Sequence, residues 1–558
     1  MTRIRRAIEW IRGLPRWAQG LLAFIAYLLV SIVLFGLPVL ANMSEVWAGV
    51  GTNDAKVFAW DLAWWPHAIS NHLNPIFTTE LFAPTGRNLM WITSMPGPSV
   101  LVWPITTIFG PVVSSNVLTL VGAPLAAWGG YLVGRRLSPR FWPAFACGLI
   151  FGFSTYETVA TRGHLNLSLV VAVPLAVYLV LRRADGSLSF VWFVVLLALD
   201  LAFEFLTSTE VFASMSVFAV LVMLVALLVL HGRRRKVLLL GAQIAGAYAL
   251  AAALLTPFLV YAFRDVPGAP LKDTVAASSD LLGFVMPRST ILFGHDLFTS
   301  TTSRFTARFA EDGTYVGIPL LVVVLAFAVT RRRDRVAHVL VPSFLLIEVA
   351  ALGPTLHVGG ETSITMPWAV AQHAPLLESA LPVRFTLYAW LALAAIVARW
   401  LGSGVGLPWL AWGLVGLGTV FLIPNVTSEW HPDVYLPEFF AEGTYRDYLE
   451  PGEIVVLLPV DEGMYWQAET DLYFSLATAK RLGAIPPGYA YWEVAKRLRA
   501  GTIGERQIPD LRAFLAAHRV GAIVVDESQA GVWQPQLAPL GITPRWVGDV
   551  LLYDVQAA

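Results

Sequence analysis

Apolar stretches recur from Leu21 to Pro424, separated by short polar pieces; each is about 20 residues long, enough to cross a hydrocarbon layer of about 30 Å as a helix. The pattern predicts eleven helices at 18–41, 113–134, 141–156, 165–181, 188–206, 210–230, 237–263, 314–330, 336–353, 384–401 and 405–424. One further apolar stretch, Val100 to Phe109, is bounded by Pro98 and Gly110-Pro111. It is too short to span, so it reads as re-entrant or interfacial. After residue 425 the period changes. Strand-like runs, Ile454 to Leu458 and Ala522 to Val525, alternate with helix-like stretches at Val494 to Ala500 and Asp510 to His518, the pattern of a small α/β domain.

Composition agrees with a membrane-embedded chain. Of 558 residues 56% are apolar and 14% charged, which excludes a single water-soluble core. The 38 basic and 38 acidic residues cancel, so there is no overall basic field and no nucleic-acid partner is expected. The one cysteine, Cys147, excludes a disulfide within the chain.

Charge placement sets the orientation. Arg3, Arg5, Arg6, Arg12 and Arg16, then Arg135, Arg136 and Arg140, Arg182 and Arg183, Arg233 to Lys236, Arg331 to Arg333 with Arg335, and Arg399 cluster between alternate apolar runs. Such clusters stay in the cytoplasm. Only Glu9, Asp185 and Asp334 among the acids share those pieces, whereas 18 acids follow residue 425. The expected organisation is a cytoplasmic basic N-terminus at 1–17, a transmembrane domain at 18–424 with outer loops 42–112, 264–313 and 354–383, and an extracytoplasmic α/β domain at 425–558. The first helix has too long an apolar core for a signal peptide and reads as an uncleaved anchor.

The outer side carries the candidate chemistry. The first outer loop contains Gly51-Thr52-Asn53-Asp54, Trp60-Asp61, Trp64-Trp65-Pro66-His67, Asn74-Pro75 and Pro84-Thr85-Gly86-Arg87. Three tryptophans in six residues suit a helix lying in the headgroup layer. Asp54 and Asp61, seven apart, share a helix face. Either serves as a carboxylate base, or Thr52-Asn53-Asp54 caps the helix. Glu204 and Glu210 bracket the turn between the fifth and sixth helices, with Asp200 one turn deeper. Acids at membrane depth are costly unless used or paired, so they bind acceptor hydroxyls or a divalent ion, or pair with Arg162 or Arg264. Glu348 has no evident partner. His295, Asp296 and Asp312 have no metal-ligand spacing and read as a structural loop. Neither a Walker loop nor Gly-x-Ser-x-Gly occurs, so nucleotide hydrolysis and a nucleophile-elbow serine have no support. In the tail, Tyr465-Trp466-Gln467 and Pro486-Pro487-Gly488-Tyr489 fit sugar stacking and ordinary core packing equally.

The order of these pieces, Gly51-Thr52-Asn53-Asp54, Asn74-Pro75, Pro84-Thr85-Gly86, Gly152-Phe153-Ser154 and His164-Leu165-Asn166-Leu167, resembles the C-type (GT-C) superfamily of membrane glycosyltransferases, in particular an uncharacterised bacterial group. The resemblance covers roughly 18–424 and the style of the tail. It implies transfer of a sugar from a polyprenyl-phosphate donor, out of the surrounding membrane lipids, to a cell-envelope glycan, lipid or protein at the outer face of a bacterial plasma membrane. It also implies that Asp54 is the general base, that the tail caps the site or receives the acceptor, and that catalysis stays in the membrane part. Family members often carry paired acids here, whereas Asn53 and Ala55 flank Asp54. Metal assistance therefore stays open, a divalent cation being the one cofactor such chemistry admits.

An inverting transfer needs cations for the leaving phosphate. Arg384, Arg162, Arg264 and Arg87 are the outer-side candidates, with Arg384 in Leu381-Pro382-Val383-Arg384-Phe385 the best placed, since a guanidinium forks a phosphate. A snorkelling anchor is the alternative for Arg384. Asp61, His164, Glu204 and Glu210 are acceptor or auxiliary candidates. Rival readings are a lipid-linked sugar flippase or transporter and a non-catalytic envelope assembly protein; an acyltransferase is weaker, His164 being the single histidine at a plausible depth.

Overall fold

A computed structural model describes residues 2–266, 275–294, 297–373, 377–404, 406–426, 430–480 and 485–556; His295 and Asp296 lie outside them. All eleven apolar stretches contain helix. Among the described residues seven helices are long and apolar enough to cross a membrane: Arg16–Gly36, Pro96–Leu137, Leu165–Ala184, Phe190–Thr207, Thr209–Val229, His231–Leu254 and Pro382–Gly402. Phe141–Gly152, Ile318–Thr330 and Pro408–Val420 are apolar but shorter, and Arg335–Ala351 has 17 residues. The 96–137 stretch is two helices meeting at Gly110, whose φ of 86° breaks the α ladder, so the 100–109 segment is a helix of its own with a turn at the glycine.

Arginines of three basic clusters are held by neighbouring connections. Arg136 pairs with Asp185, Arg399 Nε with Asp334 Oδ2 at 2.8 Å, and Arg331 donates to the Ser403 carbonyl at 2.9 Å. Two of the three acids in those pieces are thus consumed by neighbouring arginines.

Small residues let the helices approach. A Cβ at Gly152 would lie 2.5 Å from the Ala123 carbonyl oxygen and 2.6 Å from the Ala127 nitrogen, backbone atoms that cannot swing aside. Close backbone approach is how membrane helices gain packing where lipid offers no hydrophobic drive. Gly152→Ala is expected to destabilise the protein by about 1–3 kcal/mol, read from unfolding in detergent. Gly413→Ala, with nothing within 4 Å, is the matched neutral control.

The tail carries a five-stranded sheet. Numbering strands along the chain, two short hairpins come first: β1 (Phe77–Thr78) with β2 (Arg87–Asn88), and β3 (Thr355–Val358) with β4 (Glu361–Thr365). The sheet has the order β6-β5-β7-β9-β8, with β5 Ile454–Leu458, β6 Ser475–Leu476, β7 Ala522–Asp526, β8 Arg545–Val547 and β9 Val550–Asp554. β5 runs parallel to β6 and β7, and β9 antiparallel to β7 and β8. β5 and β7, paired in parallel at the centre of this mixed sheet, are near-continuous apolar runs, buried along almost their whole length as central strands are.

The tail does not stand apart. The 42–112 segment and the sheet share one hydrophobic core, from Trp47 and Trp60 through Leu81 and Phe82 to Leu457, Trp466 and Leu476. This corrects the interfacial placement of the loop's tryptophans. Trp60, Trp64 and Trp65 are buried, and their indole N–H groups donate to Gln467 Oε1 at 2.8 Å, the Pro75 carbonyl at 3.0 Å and Ser94 Oγ at 2.9 Å. Each polar edge has a protein acceptor, so none needs the headgroup layer. Tyr465, Trp466 and Tyr489 are also core, not open stacking platforms.

Candidate active site

Thr52 caps the Asn53–Ser70 helix, its hydroxyl accepting from Ala55 N at 3.4 Å. Capping by Thr52 leaves the Asp54 side chain available for other partners. The turn that carries His164 docks on this cap, because Gly163 brings its carbonyl to Thr52 Oγ1 at 3.3 Å; a Cβ there would meet the same oxygen at 2.4 Å, so only glycine permits the approach. His164 Nε2 lies 3.6 Å from Asp54 Oδ2. On the other oxygen, Lys480 Nζ donates to Oδ1 at 2.8 Å. Burial disfavours ionisation of Asp54, but the Lys480 ammonium, followed by His164 and Arg384, outweighs it and lowers the carboxyl below its usual pKa.

Behind His164 is a small pocket lined by Tyr156, Val159, Leu167, Glu311 and Arg384 among others. Arg384 is clamped, Nη1 to Glu210 Oε2 at 2.6 Å and Nη2 to Glu311 Oε2 at 3.1 Å. Its Nε–H has no hydrogen-bond partner among the described residues, which leaves one strong donor for a ligand. Glu210 lines a second, larger pocket with Trp65, Asn166, Ser208 and Phe258. The expectation that Glu210 pairs with Arg162 or Arg264 is corrected: Arg384 takes it, because the turn after Ser208 points the glutamate across the bundle to the 382–385 segment.

The other candidates fall elsewhere. Arg162 is buried, its guanidinium over the rings of Phe309 at 5.2 Å and Trp430 at 5.4 Å. Arg87 packs over Phe82. Arg264 is exposed at the end of the Thr256–Arg264 helix, which packs on the Leu89–Trp91 turn. Asp61 is fully buried, and neither carboxylate oxygen has a hydrogen-bond partner among the described residues; burial drives its pKa well up against the pull of Arg87. Asp54 and Asp61 therefore do not share an environment. Glu204 is buried with both oxygens unbonded among the described residues, and Glu348 Oε2 is likewise unbonded. Asp312 pairs with Arg288 at 2.7 Å, a structural role. Among the described residues no three His, Cys, Asp or Glu side chains gather in a way that could hold a metal ion.

Two site residues escaped the sequence reading, Lys480 and Glu311. The available signal was scarcity: the chain has five lysines against 33 arginines. Two of the five, Lys56 and Lys480, join the first loop to the tail, through Glu462 and Asp54.

Residues 24–417 match the family described as "Domain of unknown function (DUF6311)". The chain belongs to this family. Among curated proteins no sequence matches it. Solved structures do. The archaeal oligosaccharyltransferase AglB from Archaeoglobus fulgidus, in complex with an inhibitory peptide and a dolichol-phosphate, aligns over 97% of this chain and 74% of its own at 13% identity and a TM-score of 0.51. The arabinofuranosyltransferase AftD from Mycobacteria aligns over 97% of this chain at 15% identity and a TM-score of 0.57, and this chain spans 40% of it. Both are GT-C glycosyltransferases, and at these identities the likeness is one of fold. With its apolar helices, the chain is a multi-pass membrane protein of GT-C architecture.

Proposed function

We propose that the protein is an integral membrane glycosyltransferase that moves a sugar from a polyprenyl-phosphate donor to an acceptor in the bacterial cell envelope. The observation that carries this reading is that His164 lies beside Asp54 and lines, with Arg384, one pocket in a GT-C fold, three distant segments thus being brought together. The related folds are those of proteins whose structures hold a dolichol-phosphate or whose activity is arabinofuranosyl transfer. In this reading the basic end faces the cytoplasm and the pocket opens on the outer side.

The acceptor hydroxyl oxygen attacks the anomeric carbon from the face opposite the phosphate. A new C–O bond forms as the bond to the phosphate oxygen breaks, with its electron pair leaving on the lipid phosphate. Asp54 takes the hydroxyl proton. The Arg384 Nε–H receives the phosphate, with Glu210 and Glu311 holding the guanidinium in place.

The test is transfer of radiolabelled sugar from a panel of polyprenyl-phosphate hexoses and pentoses in proteoliposomes. Consumption of one donor is expected. Labelled lipid crossing the bilayer intact makes the protein a flippase, and neither result makes it an assembly protein.

A further inference from the structure

The tail reaches Asp54 through one well-anchored residue. Lys480 follows residues 474–479, all of them buried. That run is tied down on three sides: Gln467 Nε2 donates to the Phe474 carbonyl at 2.6 Å, Leu476 N to the Glu80 carbonyl at 2.8 Å, and Ala477 N to the Val455 carbonyl at 2.9 Å. The backbone leading into Lys480 is therefore built into the core, and its side chain, 14% exposed, ends 2.8 Å from Asp54 Oδ1. An ammonium is a compact point charge, suited to one carboxylate oxygen while the other stays open to a second group.

We propose that Lys480 is a positioning residue of the active site, inserted by the tail to hold Asp54 charged and oriented against His164, so that the base is complete only when the tail is docked. This rests on the reading of Asp54 as the base. The groups that face Asp54 are Lys480 from the tail, His164 from the turn before the Leu165–Ser168 helix and, through space, Arg384. Lys56, on the helix of Asp54, is held by Glu462. That second tie joins the same two parts of the chain without touching Asp54, which makes it the natural control.

Lys480 lowers the pKa of Asp54, and a carboxylate base works only when ionised. Removing the ammonium therefore raises that pKa and moves the acid limb of the pH–rate profile to higher pH. With the full chain in lipid nanodiscs and the consumed donor, Lys480→Met is expected to shift that limb up by about one unit. It should cut kcat at least tenfold below the shifted limb, with KM for the donor little changed. Lys480→Arg should restore the limb, and Lys56→Met should leave it in place. Equal losses in Lys480→Met and Lys56→Met with an unmoved limb would reduce Lys480 to a tether and overturn the proposal.

A second readout needs no donor. Trace acetic anhydride followed by mass spectrometry should find Lys480 protected in the wild type and labelled severalfold faster in Asp54→Asn. Equal labelling overturns the pairing whatever the enzyme assay shows. Protected Lys480 with no donor consumed assigns the failure to the transferase reading instead.

Discussion

Asp54→Asn is expected to lower sugar transfer by about 100- to 10,000-fold, the range for loss of a positioned proton acceptor. The amide matches the carboxylate in shape, so Thr52 still caps the helix and the loop keeps its path. What changes is the chemistry: an amide does not take the hydroxyl proton, and the acceptor oxygen is left a poor nucleophile. The substitution also removes the countercharge of Lys480, whose side chain is largely buried. Asp54→Asn with Lys480→Met removes both charges together and separates misfolding from lost catalysis. Near wild-type turnover in the single variant, at matched protein level, would discard Asp54 as the base while keeping the enzyme.

The second large effect is at Arg384, where the two available substitutions fail differently. Arg384→Met leaves Glu210 and Glu311 without their shared cation, and breaking a buried ion pair from one side costs about 3–5 kcal/mol. That variant is expected to lose much of its thermal stability. Arg384→Lys keeps the charge, but one ammonium cannot reproduce the fork that meets Glu210 at 2.6 Å and Glu311 at 3.1 Å, nor the remaining Nε–H. It should fold and turn over about 100-fold or more slowly, as when one preorganised donor to a developing anion is lost. A Lys variant with wild-type kcat would leave Arg384 as a structural clamp.

How far these residues are visible in the sequence depends on whether their signal is local. The apolar stretches are long and repeated, and all eleven contain helix. Several ends differ by a few residues, as at Phe141–Gly152, where Phe153-Ser154 turns the chain and Ser154 caps the next helix. The runs Ile454 to Leu458 and Ala522 to Val525 stand out for the same reason. Asp54, His164, Glu210 and Arg384 are polar residues beside apolar helices, so chemistry alone singles them out. Their pairings are another matter. Glu210 meets a residue 174 positions away and Lys480 one 426 away, and a single chain carries no mark of either. The loop tryptophans show the converse error: an indole suits a headgroup layer and a protein core equally, and only the tail's position decides between them.

The weld between tail and first loop also sets a schedule. Lys480 is made 426 residues after Asp54, a gap that a ribosome adding about 5–20 residues per second closes in about 20–85 seconds. Throughout that interval the Asn53–Ser70 helix lacks its partners from the tail, Gln467 for Trp60 and Lys480 for Asp54. If the proposal holds, translation itself is then the timer: a polypeptide cut short before Lys480 keeps His164 beside Asp54 but lacks the ammonium that holds the carboxylate charged.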